Sequence, residues 1–110
     1  MAHTFIPTLT LTRSAAGAIS AHQFVDFGGH PAGEDAKVVG VAQSDALPGD
    51  DVAVVAVGMV TMTAGAAIAA GDEVISDANG LPVPKGSGSN VAGVALNAAN
   101  PGEPVQILIR

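Results

Sequence analysis

Three histidines, His3, His22 and His30, are the first places to look for chemistry in this 110-residue chain. His22 and His30 flank Asp26, so a chain reversal at Gly28-Gly29 could bring a His/Asp/His set around a metal ion. Metal-bound imidazoles also need a second group behind them to fix the ring, and nothing nearby supplies one. These histidines therefore read as surface or loop residues, with no metal site. The segment "DEVISDANG", with Asp72, Asp77 and Asn79, resembles part of a calcium loop. Its spacing departs from D-x-[DN]-x-[DN]-G and no bidentate Glu follows, so Asp77-Ala78-Asn79-Gly80 reads as a hairpin turn.

The remaining candidates are equally bare. A phosphate-cradling loop puts its Lys after the glycines and before a helix; in "PKGSGSN" Lys85 comes first and no helix follows. Ser87 and Ser89 lack the strand–turn–helix setting of a nucleophile. Asp50-Asp51 could serve as an acid–base pair, but adjacent turn residues point apart. The residues thus predict no catalytic site, no metal and no cofactor, and favour a structural or binding protein over an enzyme.

The elements that would have to hold any site are small. Hydrophobic residues make up 48% of the chain, mostly Ala and Val, and aromatics only 3%, all Phe. Small side chains each bury little apolar area, which makes association a natural route to stability. Charge is sparse, with four basic and ten acidic residues and a net charge of −6. Arg13, Lys37, Lys85 and Arg110 are scattered, so no patch exists to neutralise phosphates, and no nucleic-acid partner is expected. No window reaches the roughly 18 apolar residues of a membrane span, and the start "MAHTFIPTLTLTRS" has no secretion-signal pattern. A soluble protein without an export address or membrane partner is the expectation. No cysteine is present, which removes disulfides and thiolate metal sites.

Residues 1–14 read as an extended arm, because Pro7 forbids helix and "TLTLT" alternates with strand period. A segment this short must lie along its own domain or along a partner. Residues 15–110 read as a single β domain with an internal two-fold repeat. "GVAQSDALPGDDV" at 40–52 returns as "GVALNAANPGEPV" at 93–105, pairing Gly40 with Gly93, Pro48 with Pro101, Gly49 with Gly102 and Val52 with Val105. Pro followed by Gly suits a type II turn, whose third residue needs positive φ. "SAAGAISAHQFVDF" has its counterpart in "AGAAIAAGDEVISD", so the half-repeats cover about 15–58 and 64–109. Strands at this spacing predict a mainly β fold, a small antiparallel β-barrel or sandwich with at most one short helix. The stretch "NGLPVPKGSGSN" reads as flexible and projecting.

These segments together resemble the capsid decoration proteins of tailed bacteriophages, also called capsid cement or head-stabilising proteins. The resemblance rests on "GVAQSDALPGDDVAVVAVG", "AAIAAGDEVISDANG" with its Ala70-Gly71-Asp72, and the closing "VAGVALNAANPGEPVQILIR", and covers about residues 15–110. It implies a virion protein on the outer surface of the expanded capsid, bound to the major capsid protein and usually trimeric. The acidic, base-poor composition agrees with a place outside the shell, away from packaged DNA. The arm residues Phe5, Ile6, Leu9 and Leu11 are expected to contact the shell or an adjacent protomer, and Val57 and Met59 to lie at a protomer interface. A carbohydrate- or surface-binding β module using loop 80–90 is the alternative; the absence of Trp and Tyr, the usual sugar-stacking residues, speaks against it.

Overall fold

Alternating β-branched residues favour extended backbone, and the computed structural model, which describes residues 6–109, consists of strands with no helix among those residues. The strands are β1 (Ile6–Ser14), β2 (Phe24–Asp26), β3 (Val38–Ala42), β4 (Asp51–Thr63), β5 (Glu73–Ser76), β6 (Pro82–Pro84), β7 (Gly93–Ala95) and β8 (Pro104–Ile109). All pairings are antiparallel. The order is β2-β3-β4-β8-β7-β5-β6, with β1 alongside β4, and the sheet curls into a nearly closed barrel. The two small-residue runs are loops, each held by one isolated bridge, Ile19 to Ala46 and Ile68 to Ala99.

The 13-residue strand β4 organises the molecule. Val55 pairs with both Thr10 of β1 and Val41 of β3, and Gly58 with both Pro7 of β1 and Ile109 of β8. A strand has only two edges, so β1 runs along one while β3 and then β8 share the other. Register shifts near Leu9 show a bulge there, which lets β4 bend and face two cores. Val54 packs into one cluster with Ala15, Ile19, Val25, Ala42, Ala46 and Val52. The adjacent Val55 packs into the larger one with Phe24, Val60, Met62 and Ile107. Phe24 is the one aromatic side chain in either cluster, so the interior is built chiefly from Val, Ile and Ala.

The repeat legible in the sequence is a repeat of hydrogen bonds. Ile19 and Ala46 exchange two N–H···O bonds of 2.9 Å, and Ile68 and Ala99 do the same at 2.9 and 3.0 Å. Gly49 donates to the Ala15 carbonyl and Gly102 to that of Ala64, at 2.8 and 2.9 Å. Gly49 (φ 93°) and Gly102 (φ 84°) sit at the positive-φ position of the expected Pro-Gly turns. The correspondence also reaches into β1: Arg13 and Ser14 face Val52 and Asp51 as Met62 and Thr63 face Val105 and Pro104. The end of β1 and the end of β4 thus play the same part in the two halves.

One expectation is corrected. The stretch 80–90 does not project freely: Pro82–Pro84 forms β6 against β5, and the Asp35 carboxylate accepts N–H bonds from Ser89 (3.0 Å) and Asn90 (2.9 Å). The anchoring residue lies far away in sequence, where composition of the loop itself gives no hint of it.

Candidate interaction surface

Most of the acidic residues are occupied in shaping turns and loops. Asp26 Oδ1 accepts from the N–H of Gly28 and of His30, both at 2.9 Å, and Asp77 Oδ1 accepts from Asn79 (2.7 Å) and Leu81 (3.0 Å) in the matching hairpin. Asp50 and Glu103 accept from Leu47 and Asn100 at the two Pro-Gly turns, at 3.0 and 2.8 Å, while Asp45 and Asp72 hold the N–H of Ala21 and Ala69. Each of these bonds satisfies a backbone donor that no ladder reaches. His30 Nδ1 lies 4.0 Å from Asp26 Oδ1, and His22 sits in a separate turn. Among the described residues no three His, Asp or Glu side chains converge on one point. Bonds from Asn90 and then Ser89, helped by the nearby Lys85 charge, hold the Asp35 carboxyl below its ordinary value.

Duplication also leaves two equivalent shallow grooves. One is floored by Ile68 and Ala99 beside Asp72 and Glu103, the other by Ile19 and Ala46 beside Asp45 and Asp50. Their carboxylates are the turn-capping ones just described, so the grooves are by-products of the turns.

The outward face of the barrel is different in character. After its bend β4 turns Gly58, Val60 and Met62 inward, leaving Val57, Met59 and Thr61 half-buried on the outside. On β8 the inward set is Val105, Ile107 and Ile109, with Gln106 and Leu108 outside. Met59 is opposite Leu108, and Leu108 is opposite Val94, so a row of apolar side chains crosses three strands. Leu9, 47% exposed, continues the surface from β1 opposite Val57. Leu96, 43% exposed, follows just beyond β7. None of these residues is charged.

The arm and strand candidates read separately from the sequence are therefore neighbours. Leu9 pairs with Val57, and Ile6 with Met59. Leu11 is opposite Val54, further along β1 and half-buried. Phe5 lies outside the described residues. Leu108, Val94 and Leu96 were missed. The alternation of Leu108 with the buried Ile107 and Ile109 in "QILI" is the signal that could have found Leu108. Arg13, read only as a scattered charge, donates from Nη2 to the Phe27 carbonyl oxygen at 3.0 Å and ties β1 to the first hairpin turn.

A family model described as phage cement protein matches residues 3–110. The chain belongs to the phage cement protein family. Its role is accordingly that of a capsid-associated structural protein. The fold also resembles the crystal structure of the N base of head fiber gp8.5 from bacteriophage phi29, with a TM-score of 0.76 over 93% of each chain and 24% identity. At that identity the likeness speaks for the fold. No curated protein matches the chain in sequence.

Proposed function

We propose that this chain cements the expanded icosahedral head from outside, bridging neighbouring subunits of the major capsid protein. It does so as a homotrimer, with Val57 and Met59 at the contact between protomers. Phe5, Ile6, Leu9 and Leu11 reach the shell, where the strand-like arm adds main-chain hydrogen bonds to a capsid sheet edge. The observation that carries this reading is the uncharged apolar row of Leu9, Val57, Met59, Leu108 and Val94 on a chain of the cement family. A cement has to tolerate desolvation of its contact face, and the row from Leu9 to Val94 has no charge to desolvate, the first being Glu73 at its margin, opposite Val94. Many copies of a modest contact then add up through multivalency. The reaction chemistry that the sequence fails to supply is not needed for such a role.

Point variants test it better than removal of the arm, since β1 forms a full ladder with β4 and its loss would expose that edge. Met59→Asp and Leu108→Asp place charges on the outer face while leaving the inward residues untouched. Both variants are expected to remain folded by circular dichroism and to bind purified expanded heads on the order of a hundredfold more weakly, as expected for truncating central contacts worth about 2–3 kcal/mol. Folded variants that bind heads as well as the parent protein would remove this face from the interface.

A further inference from the structure

The structure assigns a modification site that the capsid role does not use. We propose that Asn79 deamidates spontaneously, and that the product loosens the seam between the two halves of the fold. Four asparagines are present, at 79, 90, 97 and 100. In the reaction the backbone nitrogen of the next residue gives up its proton and bonds to the asparagine Cγ. The Cγ–Nδ2 bond breaks, that nitrogen gains the proton and leaves as ammonia, and a cyclic imide remains. Water then opens either imide carbonyl, giving aspartate or isoaspartate, whose main chain runs through Cγ. No oxidant or reductant takes part, and the only co-reactant is solvent.

The structure separates the four residues sharply. Asn100 precedes Pro101, which has no N–H to give up. Asn90 precedes β-branched Val91, and its Nδ2 donates to the Asp35 carbonyl at 2.8 Å. Asn97 is held at both ends, with Oδ1 accepting from Gln106 N–H at 2.7 Å and Nδ2 donating to Ala98 O at 3.0 Å. Asn79 is exposed, its carboxamide makes no hydrogen bond among the described residues, and its successor is Gly80, the least hindered of nucleophiles. The Gly80 N–H is engaged only by the Asp77 carbonyl at 3.2 Å, the longest bond of the turn, so a small local opening releases it. Asparagine is a thermolabile residue in general, and of the four only Asn79 combines an exposed carboxamide without a hydrogen bond among the described residues and a glycine successor.

The consequence follows from what the turn touches. The Asn79 carbonyl accepts from Gln23 Nε2 at 2.7 Å, and the Gly80 carbonyl accepts from the N–H of Phe24 at 2.8 Å. These bonds join the hairpin of the second half to β2 of the first, next to the fully buried Phe24 ring. The fit is tight, since a Cβ on Gly80 would come within 3.2 Å of the Phe24 carbonyl. Isoaspartate lengthens the main chain by one carbon at this point and shifts the Gly80 carbonyl off the Phe24 N–H. The other half provides a built-in control: its matching hairpin, Asp26-Phe27-Gly28-Gly29, carries glycine where Asn79 stands.

The test incubates the full chain at neutral to mildly alkaline pH and follows each asparagine by peptide mass spectrometry able to distinguish isoaspartate. Amide exchange at Phe24 is read on the same samples, with Asn79→Gly treated in parallel. Asn79 is expected to convert on the order of tenfold or more faster than Asn90 or Asn97, reflecting its lower barrier. Phe24 should lose protection as isoaspartate accumulates, while Asn79→Gly keeps it. Conversion of Asn79 no faster than that of Asn90 and Asn97 would overturn the site. Full conversion with Phe24 still protected would overturn its effect on the seam.

Discussion

His22 holds a backbone conformation (φ 65°) that side chains other than glycine adopt only at a cost. Its counterpart in the second half is Gly71 (φ 88°), and both donate their N–H at 2.8 Å to matching carbonyls, of Ala42 and Ala95. The conformation is thus demanded by the turn, and the histidine endures it. His22→Gly is therefore predicted to raise stability by about 0.5–1 kcal/mol, the relief of strain less the entropy cost of glycine; urea unfolding of the variant measures this directly. Asp35 (φ 53°) pays a similar cost but uses it, since its carboxylate receives the N–H groups of Asn90 and Ser89. Those bonds lower its pKa, so the stabilisation is present above the ordinary carboxylate value and is lost as pH falls through the lowered one. Asp35→Ala should accordingly release the 86–90 loop at neutral pH. Faster amide exchange at Ser89 and Asn90 would show it, and acid should produce the same release in the parent protein.

At the scale of elements, the two Gly-Val-Ala strands are explained by close approach. A Cβ at Gly93 would come within 2.5 Å of the Leu108 carbonyl oxygen on β8, and one at Gly40 would collide with the Val55 carbonyl on β4. Gly93→Ala is predicted to cost about 1–3 kcal/mol through overpacking, read as a lower urea midpoint with unchanged slope. The Gly-Val-Ala and Pro-Gly phrases were legible in the sequence because glycine and proline meet local backbone demands. What joins the halves was less legible. The half-repeats read from the sequence, about 15–58 and 64–109, leave residues 59–63 in neither half; in the fold Asp51–Thr63 is one strand serving both. Which strand borders which is decided by packing across the barrel, so β1 as the neighbour of β4 could not be read from Pro7 and "TLTLT" alone. The outer face shows the same limit. Val57 and Met59 were found by their apolar character, but Leu108 and Val94 join them only once register is known.

At the scale of the whole molecule, duplication gives a barrel with a Val/Ile/Ala interior, most carboxylates spent on turns, and an outer row of apolar side chains that ends at Glu73. Such a body has little surface chemistry of its own and is suited to lying between larger neighbours. Its net charge of −6, with only four basic residues, disfavours contact with packaged DNA, which agrees with the place outside the shell proposed above. Membership of the phage cement protein family fits that physical picture. The most direct test of the capsid role is the number of copies of this chain relative to the major capsid protein in purified virions, by quantitative mass spectrometry. A ratio near one, or another simple symmetric fraction, is the predicted result for a cement that covers the lattice. Absence from the particle, or a handful of copies on each, would contradict it.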